Sequence, residues 1–191
     1  MTRQLRHLLG SIKRFARAQR GVAVVEFALV VPIMLVVYVG SFEASTLISV
    51  DRKVQSVAGA IGDLVARADK TMTTTQMQDY FRAASGIMTP YSSDPVLQVV
   101  TAISVNNSGE ATVVWSRQYN NGTYSATTPH VTGSAFPLPA EMIAISKGQM
   151  VIAAEASYAY TPLYGIVFNQ PINLYRSSFY MPRFGGTITI S

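Results

Sequence analysis

Glu26 is the one charged side chain in the run Val-Ala-Val-Val-Glu-Phe-Ala-Leu-Val-Val-Pro-Ile-Met-Leu-Val-Val-Tyr-Val-Gly-Ser-Phe that extends from Val22 to Phe42. A carboxylate in an apolar segment of that length costs a few kcal/mol unless it is protonated, reaches water or meets a cation. No basic residue stands between Val22 and Val50, so a cation has to come from another chain or from an α-amine made by cutting this one nearby. Gly21, a small residue that weakens a helix, stands directly before the run. A second reading needs no partner. Glu26 then lies one turn inside a membrane and reaches headgroup water, and Gly21 is an ordinary glycine at the membrane border.

Other chemistry is poorly supplied. The chain has no cysteine, which excludes disulfides, thiol catalysis and cysteine-held metals. It has two histidines, His7 and His130, and no spacing that suits a metal. There is no glycine-rich phosphate loop and no nucleophile motif. His130 stands in a polar stretch and reads as a solvated loop histidine. Asp63, Asp69, Asp79 and Asp94 are spread out and read as capping or solubilising groups. The expectation is a protein that is not an enzyme, with no catalytic, metal or cofactor site.

The charge is placed unevenly. Arg3, Arg6, Lys13, Arg14, Arg17 and Arg20 crowd the first 20 residues with no acid among them, while the rest of the 191-residue chain carries nine basic and ten acidic side chains. Such an arm would serve as a phosphate-binding tail on a nucleic-acid protein. Before 21 apolar residues it instead marks a cytoplasmic flank, because 21 helical residues span about 30 Å, the thickness of a bilayer core. A secretory signal cut near Ser41 is a further reading. The apolar run is longer than signal peptides use, and Pro32 interrupts it.

Gly21-Val22-Ala23-Val24-Val25-Glu26-Phe27 resembles a prepilin-peptidase motif, with a glycine before the cut, four apolar residues, a glutamate fifth in the mature chain and an aromatic after it. The longer run from Arg20 to Leu35 resembles the TadE-like family of tight-adherence (Flp/Tad type IVb) pseudopilins. Glu155–Leu163 and Met181-Pro182-Arg183 are weaker echoes of that family. The resemblance implies processing between Gly21 and Val22, and pairing of Glu26, next to Phe27, with the Val22 amine of a neighbouring subunit. It implies as partners a prepilin peptidase, other Tad minor pilins, the major Flp pilin and an inner-membrane assembly platform. It also implies a single-pass protein of the bacterial inner membrane, N-terminus cytoplasmic and C-terminal domain periplasmic, without nucleic acid. An uncleaved, membrane-anchored periplasmic binding or adhesion module is the alternative.

The elements that position these residues follow from periodicity. Leu47, Val50, Val54, Val57, Ile61 and Leu64 recur at alternating steps of three and four, a heptad seam on a continuing helix. The seam packs on the chain's own domain or on a partner helix. Thr73 and Gln76 form a capping box for a helix over Thr74–Ser85, with Met77, Tyr80, Phe81 and Ala84 on one face. A short helix runs from Pro139 to Lys147. Val96–Val105 is a strand with Leu97, Val99, Ile103 and Val105 on one face. It turns at Asn106–Gly109 into Ala111–Tyr119, with Val113, Trp115 and Tyr119 on one face. Met150–Tyr160 alternates Met150, Ile152, Ala154, Ala156, Tyr158 and Tyr160 against Glu155 and Ser157. Thr187–Ile190 is an edge strand, Asn120–Pro137 is a surface loop, and the C-terminal tyrosines (Tyr158, Tyr160, Tyr164, Tyr175 and Tyr180) serve mainly as core. The expected fold is α+β and pilin-like. Residues 1–21 are a leader, 22–42 a transmembrane helix and 43–69 its extramembrane continuation, and 70–191 form a domain with a small antiparallel sheet.

Overall fold

Val22–Ala66 form one unbroken helix, α1, about 68 Å long at 1.5 Å per residue. The structure, a computed structural model, describes residues 21–162, 165 and 169–191. The basic arm with His7, together with Leu163 and Tyr164, lies outside the described residues. Pro32 sits inside α1 without ending it. The two halves of the helix have different surroundings. Every residue from Val22 to Val30 is exposed, whereas Val50, Val54, Val57, Ala58, Ile61 and Val65 have no exposed surface.

The buried half packs on a five-stranded antiparallel sheet. Its strands are β2 (Val96–Val105), β3 (Ala111–Asn120), β4 (Thr123–Ser125), β5 (Met150–Tyr160) and β6 (Ile172–Tyr180), in the spatial order β4-β3-β2-β5-β6. Helix α1 lies over β5 and β6. Beside it packs α2 (Thr74–Ser85), started by the expected capping box: the Gln76 N–H donates to Thr73 Oγ1 at 3.1 Å, and the Thr73 N–H to Gln76 Oε1 at 2.9 Å. Met77, Phe81 and Ala84 of α2 enter the same core as Val100, Ala102, Trp115 and the even-numbered face of β5. The seam therefore packs on the chain's own domain. Its last member differs from expectation. Leu64 is only half-buried and Val65 takes the core position, because a straight helix repeats every 3.6 residues and drifts off a 3.5-residue seam.

Several strand expectations change. Val113 and Trp115 do not share a face: Ala102 pairs with Trp115 and Ile103 with Val113, so Val114 is an extra residue, a β-bulge that turns the strand over. Trp115 faces α1, while Val113 joins Ile103, Val105, Phe136, Leu138, Val151 and Ala153 in a second, smaller core on the back of the sheet. The segment read as a surface loop, Asn120–Pro137, supplies Phe136 to that core and holds β4. The expected strand near the C-terminus is β7 (Thr189–Ile190). It does not edge the main sheet but pairs in parallel with β1 (Thr71–Met72). The Trp115 indole N–H donates to the Ile188 carbonyl at 2.7 Å and holds that end down. The short helix is α3 (Ala140–Ser146), and Pro139 and Lys147 flank it as caps. Strand β6 has no counterpart in the sequence reading.

One contact fixes α1 on the sheet. A Cβ added at Gly62 would stand 2.6 Å from Tyr180 ring carbons and 3.0 Å from the Ala154 Cβ, while one at Gly59 would meet only the Tyr180 hydroxyl at 3.5 Å. Alanine in a helix is worth about 1 kcal/mol over glycine; overpacking costs about 1–3 kcal/mol. Gly62→Ala should therefore lower the thermal midpoint of the full chain in detergent and Gly59→Ala should raise it, both read by circular dichroism. A stabilising Gly62→Ala would refute the close helix–sheet approach.

Candidate functional site

Two groups of residues stand out, one on the bare half of α1 and one on the back of the sheet. Gly21 precedes the helix as its N-cap without a side-chain capping bond, and nothing lies within 4 Å of where its Cβ would be. Val22, Glu26 and Phe27 are all exposed, Phe27 by 69%. Among the described residues no side chain bonds Glu26. From Glu26 to Val50, the first seam residue with no exposure, is about 36 Å of helix. The structure thus separates the sequence-picked residues. Gly21, Val22, Glu26 and Phe27 lie at an end of α1 that is exposed among the described residues, while Leu47, Val50, Val54, Val57 and Ile61 are core or core-edge residues of the domain.

Between Val22 and Phe42 the chain offers apolar side chains to its surroundings on all sides, and none of its most apolar 18-residue stretch is buried. It is the one helix among the described residues long and apolar enough to cross a membrane. Water is a poor solvent for so much hydrocarbon; a bilayer core or a bundle of like helices is a good one. Glu43 follows at once and is 1% exposed, and Val50, about two turns on, is the next buried residue. The charge of Glu43, together with burial, keeps the Tyr160 phenol above its ordinary range, burial being the larger cause.

On the back of the sheet, His130 is not a solvated loop histidine. Its Nε2 lies 2.5 Å from Oε2 of Glu155, and the Tyr175 hydroxyl donates to Oε1 of the same carboxylate. Glu155, set against the Met150–Tyr160 face in the strand alternation, is buried in the middle of β5, with both oxygens occupied. Burial and then the Glu155 hydrogen bond push the Tyr175 phenol far above its ordinary range. The three side chains, with Leu97, Val99, Pro129 and Ser157, bound a cavity of about 250 Å³. The only sequence signal for this cluster was a lone acid in an otherwise uncharged strand, since its partners lie 25 and 20 residues away. At the far end of α1, Asp63 bonds Arg67 at 2.6 Å and also Arg183, and the Arg67 hydrogen bond is the largest of the effects that hold its carboxyl below the usual range. Asp63 is therefore ion-paired, beyond the capping or solubilising role expected for it. Among the described residues no group of three His, Cys, Asp or Glu could hold a metal.

A model of the family described as TadE-like protein matches residues 21–61. The matched span opens at Gly21, contains Glu26 and Phe27 and ends at Ile61, so it covers the bare half of α1 and most of the seam, as the resemblance of the Gly21–Phe27 motif implied. No curated protein and no solved structure matches the chain significantly.

The folded state holds the Tyr175 proton more tightly than the unfolded chain does. The stability this contributes is complete below pH ~10 and is lost as pH rises further. Tyr175→Phe keeps the ring and removes the hydrogen bond to a charged acceptor. It should cost about 1.5 kcal/mol at neutral pH, the low end for such bonds because the side chain is half-exposed. It should also make the loss of stability above pH ~10 shallower. The slope will not vanish, since burial also raises the phenols of Tyr158 and Tyr160. Denaturant titrations at neutral and alkaline pH measure both effects.

Proposed function

We propose that this chain is a minor pilin or pseudopilin of a Tad-type pilus assembly system, anchored by Val22–Phe42 in the bacterial inner membrane and cut between Gly21 and Val22 by a prepilin peptidase. The observation that carries the reading is a fully uncovered apolar half-helix with one carboxylate, placed four residues after Val22 inside the span that matches the TadE-like model. Cleavage would remove the basic arm and leave an α-amine, cationic in large part at neutral pH given a reference pKa near ~8. In an assembly of such helices that amine would neutralise the Glu26 of a neighbour in a medium where an unpaired charge is costly. The basic arm supports an N-terminus in the cytoplasm and a domain in the periplasm. The partners on this reading are the peptidase, other Tad minor pilins, the major Flp pilin and the assembly platform; no role in catalysis is proposed. The cavity beside His130 favours a second reading, an uncleaved membrane-anchored binding or adhesion module.

Intact-mass analysis with and without the peptidase separates the two. The first reading expects loss of residues 1–21 and a mature N-terminus at Val22; an intact Met1 in piliated cells would defeat it. Glu26→Gln should leave cleavage and insertion intact, because removing a buried charge eases insertion by a few kcal/mol. Piliation and co-purification with the other subunits should drop, since the neighbour's ammonium loses its counter-charge. Normal piliation at wild-type protein level would take Glu26 out of the assembly mechanism.

A further inference from the structure

The two edges of the sheet are treated differently. The outer edge of β3 is closed twice. Near Asn120 it pairs with β4, and near Ala111 it binds the segment 133–136, where the Val113 N–H donates to Ser134 O at 2.9 Å, the Gly133 N–H to Val113 O at 2.8 Å and the Phe136 N–H to Ala111 O at 3.0 Å. The other edge is β6, nine residues paired to β5 along their whole length. Among the described residues no backbone hydrogen bond is made on its outer side. Folded proteins blunt such an edge with short strands, bulges or free lysines. Strand β6 has none of these: it is regular, and its one charge, Arg176, is neutralised by Asp51 of α1. Beside the open edge stands Tyr175, 54% exposed, with its hydroxyl fixed on the buried Glu155 and that carboxylate fixed in turn by His130. A rigid, half-exposed tyrosine beside a strand whose outer side no described residue pairs is a prepared contact, because little side-chain freedom is left to lose on binding.

We infer that the outer edge of β6 accepts an extended strand from a different subunit, which continues the sheet and packs an apolar side chain on the Tyr175 ring. The partner chemistry follows from the edge: main-chain amides to match a row of amides, apolar side chains on the back face, and no charge needed at the centre. A second copy of this chain fits poorly. Gly62 of α1 lies beside Ala154 of β5, and Thr46 shares a cavity with Tyr160, so β5 runs antiparallel to α1 and the strands follow the helix axis. Antiparallel pairing of two β6 strands about a two-fold axis would aim the two apolar half-helices in opposite directions, which one membrane forbids. The inference rests on the pilin reading for its anchor and for the class of partner.

The chain has no cysteine, so single cysteines report cleanly. The full-length protein would be co-expressed with the other subunits of its pilus system, carrying Asn173→Cys on β6 or Thr112→Cys on the closed edge, and treated with a short thiol-to-amine cross-linker in membranes. An adduct to another pilus subunit from Asn173→Cys and none from Thr112→Cys is the expected result. Tyr175→Ala should weaken capture of that subunit about tenfold or more. Asn173→Lys, on an exposed position whose side chain makes no hydrogen bond among the described residues, should weaken it without lowering the thermal midpoint. Homodimer adducts alone would overturn the inference. So would intact co-purification with no β6 adduct, and that outcome leaves the pilin reading standing. Absence of any co-purification would remove both.

Discussion

A single helix has to satisfy two solvents. Helix α1 continues from Val22 to Ala66 although Pro32 leaves one donor out of its hydrogen-bond ladder, so both halves share one helical backbone and the side chains decide where each half can live. Over the first half the apolar side chains point every way and no other described residue covers them; over the second most lie on one face, sealed by the sheet. The domain therefore cannot turn freely relative to the apolar half. No break separates the two parts where they meet, so the direction of the helix after Pro32 sets the orientation of the sheet.

That rigidity depends on how closely the helix approaches the strands. Gly62 allows the Tyr180 ring and Ala154 against the helix backbone, and Gly59 leaves room for the Tyr180 hydroxyl. Ion pairs flank this contact. Arg176 of β6 reaches Asp51, Arg183 reaches Asp63, and the Arg183 N–H donates to the Ala66 carbonyl at 2.8 Å, satisfying an acceptor that the end of a helix leaves open. These pairs are partly exposed and weak one by one. Their use is in orientation: they fix β6 lengthwise along α1, so the outer edge of the sheet has a defined height along the helix.

The back of the sheet obeys a different rule. A carboxylate in the middle of a strand is costly unless its oxygens are bonded. Here the strand neighbour Tyr175 takes one oxygen and the long connection between β4 and α3 brings His130 to the other. The connection is thereby tied to the sheet at His130, next to Phe136, whose ring lies 4.8 Å from the imidazole. A polar cluster and a small apolar core together turn what reads as loop into structure.

Where the physics is local, the residues announced the outcome. The unbroken apolar run, the Gly21–Phe27 motif, the capping box at Thr73 and the alternation of Met150–Tyr160 each carry their signal within a few positions, and periodicity or a side-chain-to-backbone bond is enough to read it. The features that only the tertiary structure decided depend on distant partners. Val65 replaces Leu64 because a sheet, not a second supercoiled helix, lies under α1. Trp115 and Val113 part because one extra residue, Val114, has no partner on β2. Strand β6 mixes polar and aromatic residues with Ile172 and Leu174; its strand character comes from pairing with β5, and its partial burial from α1 far upstream in the chain. His130 and Glu155 are 25 residues apart and meet only through the tertiary fold, which is why His130 read as a solvated loop residue.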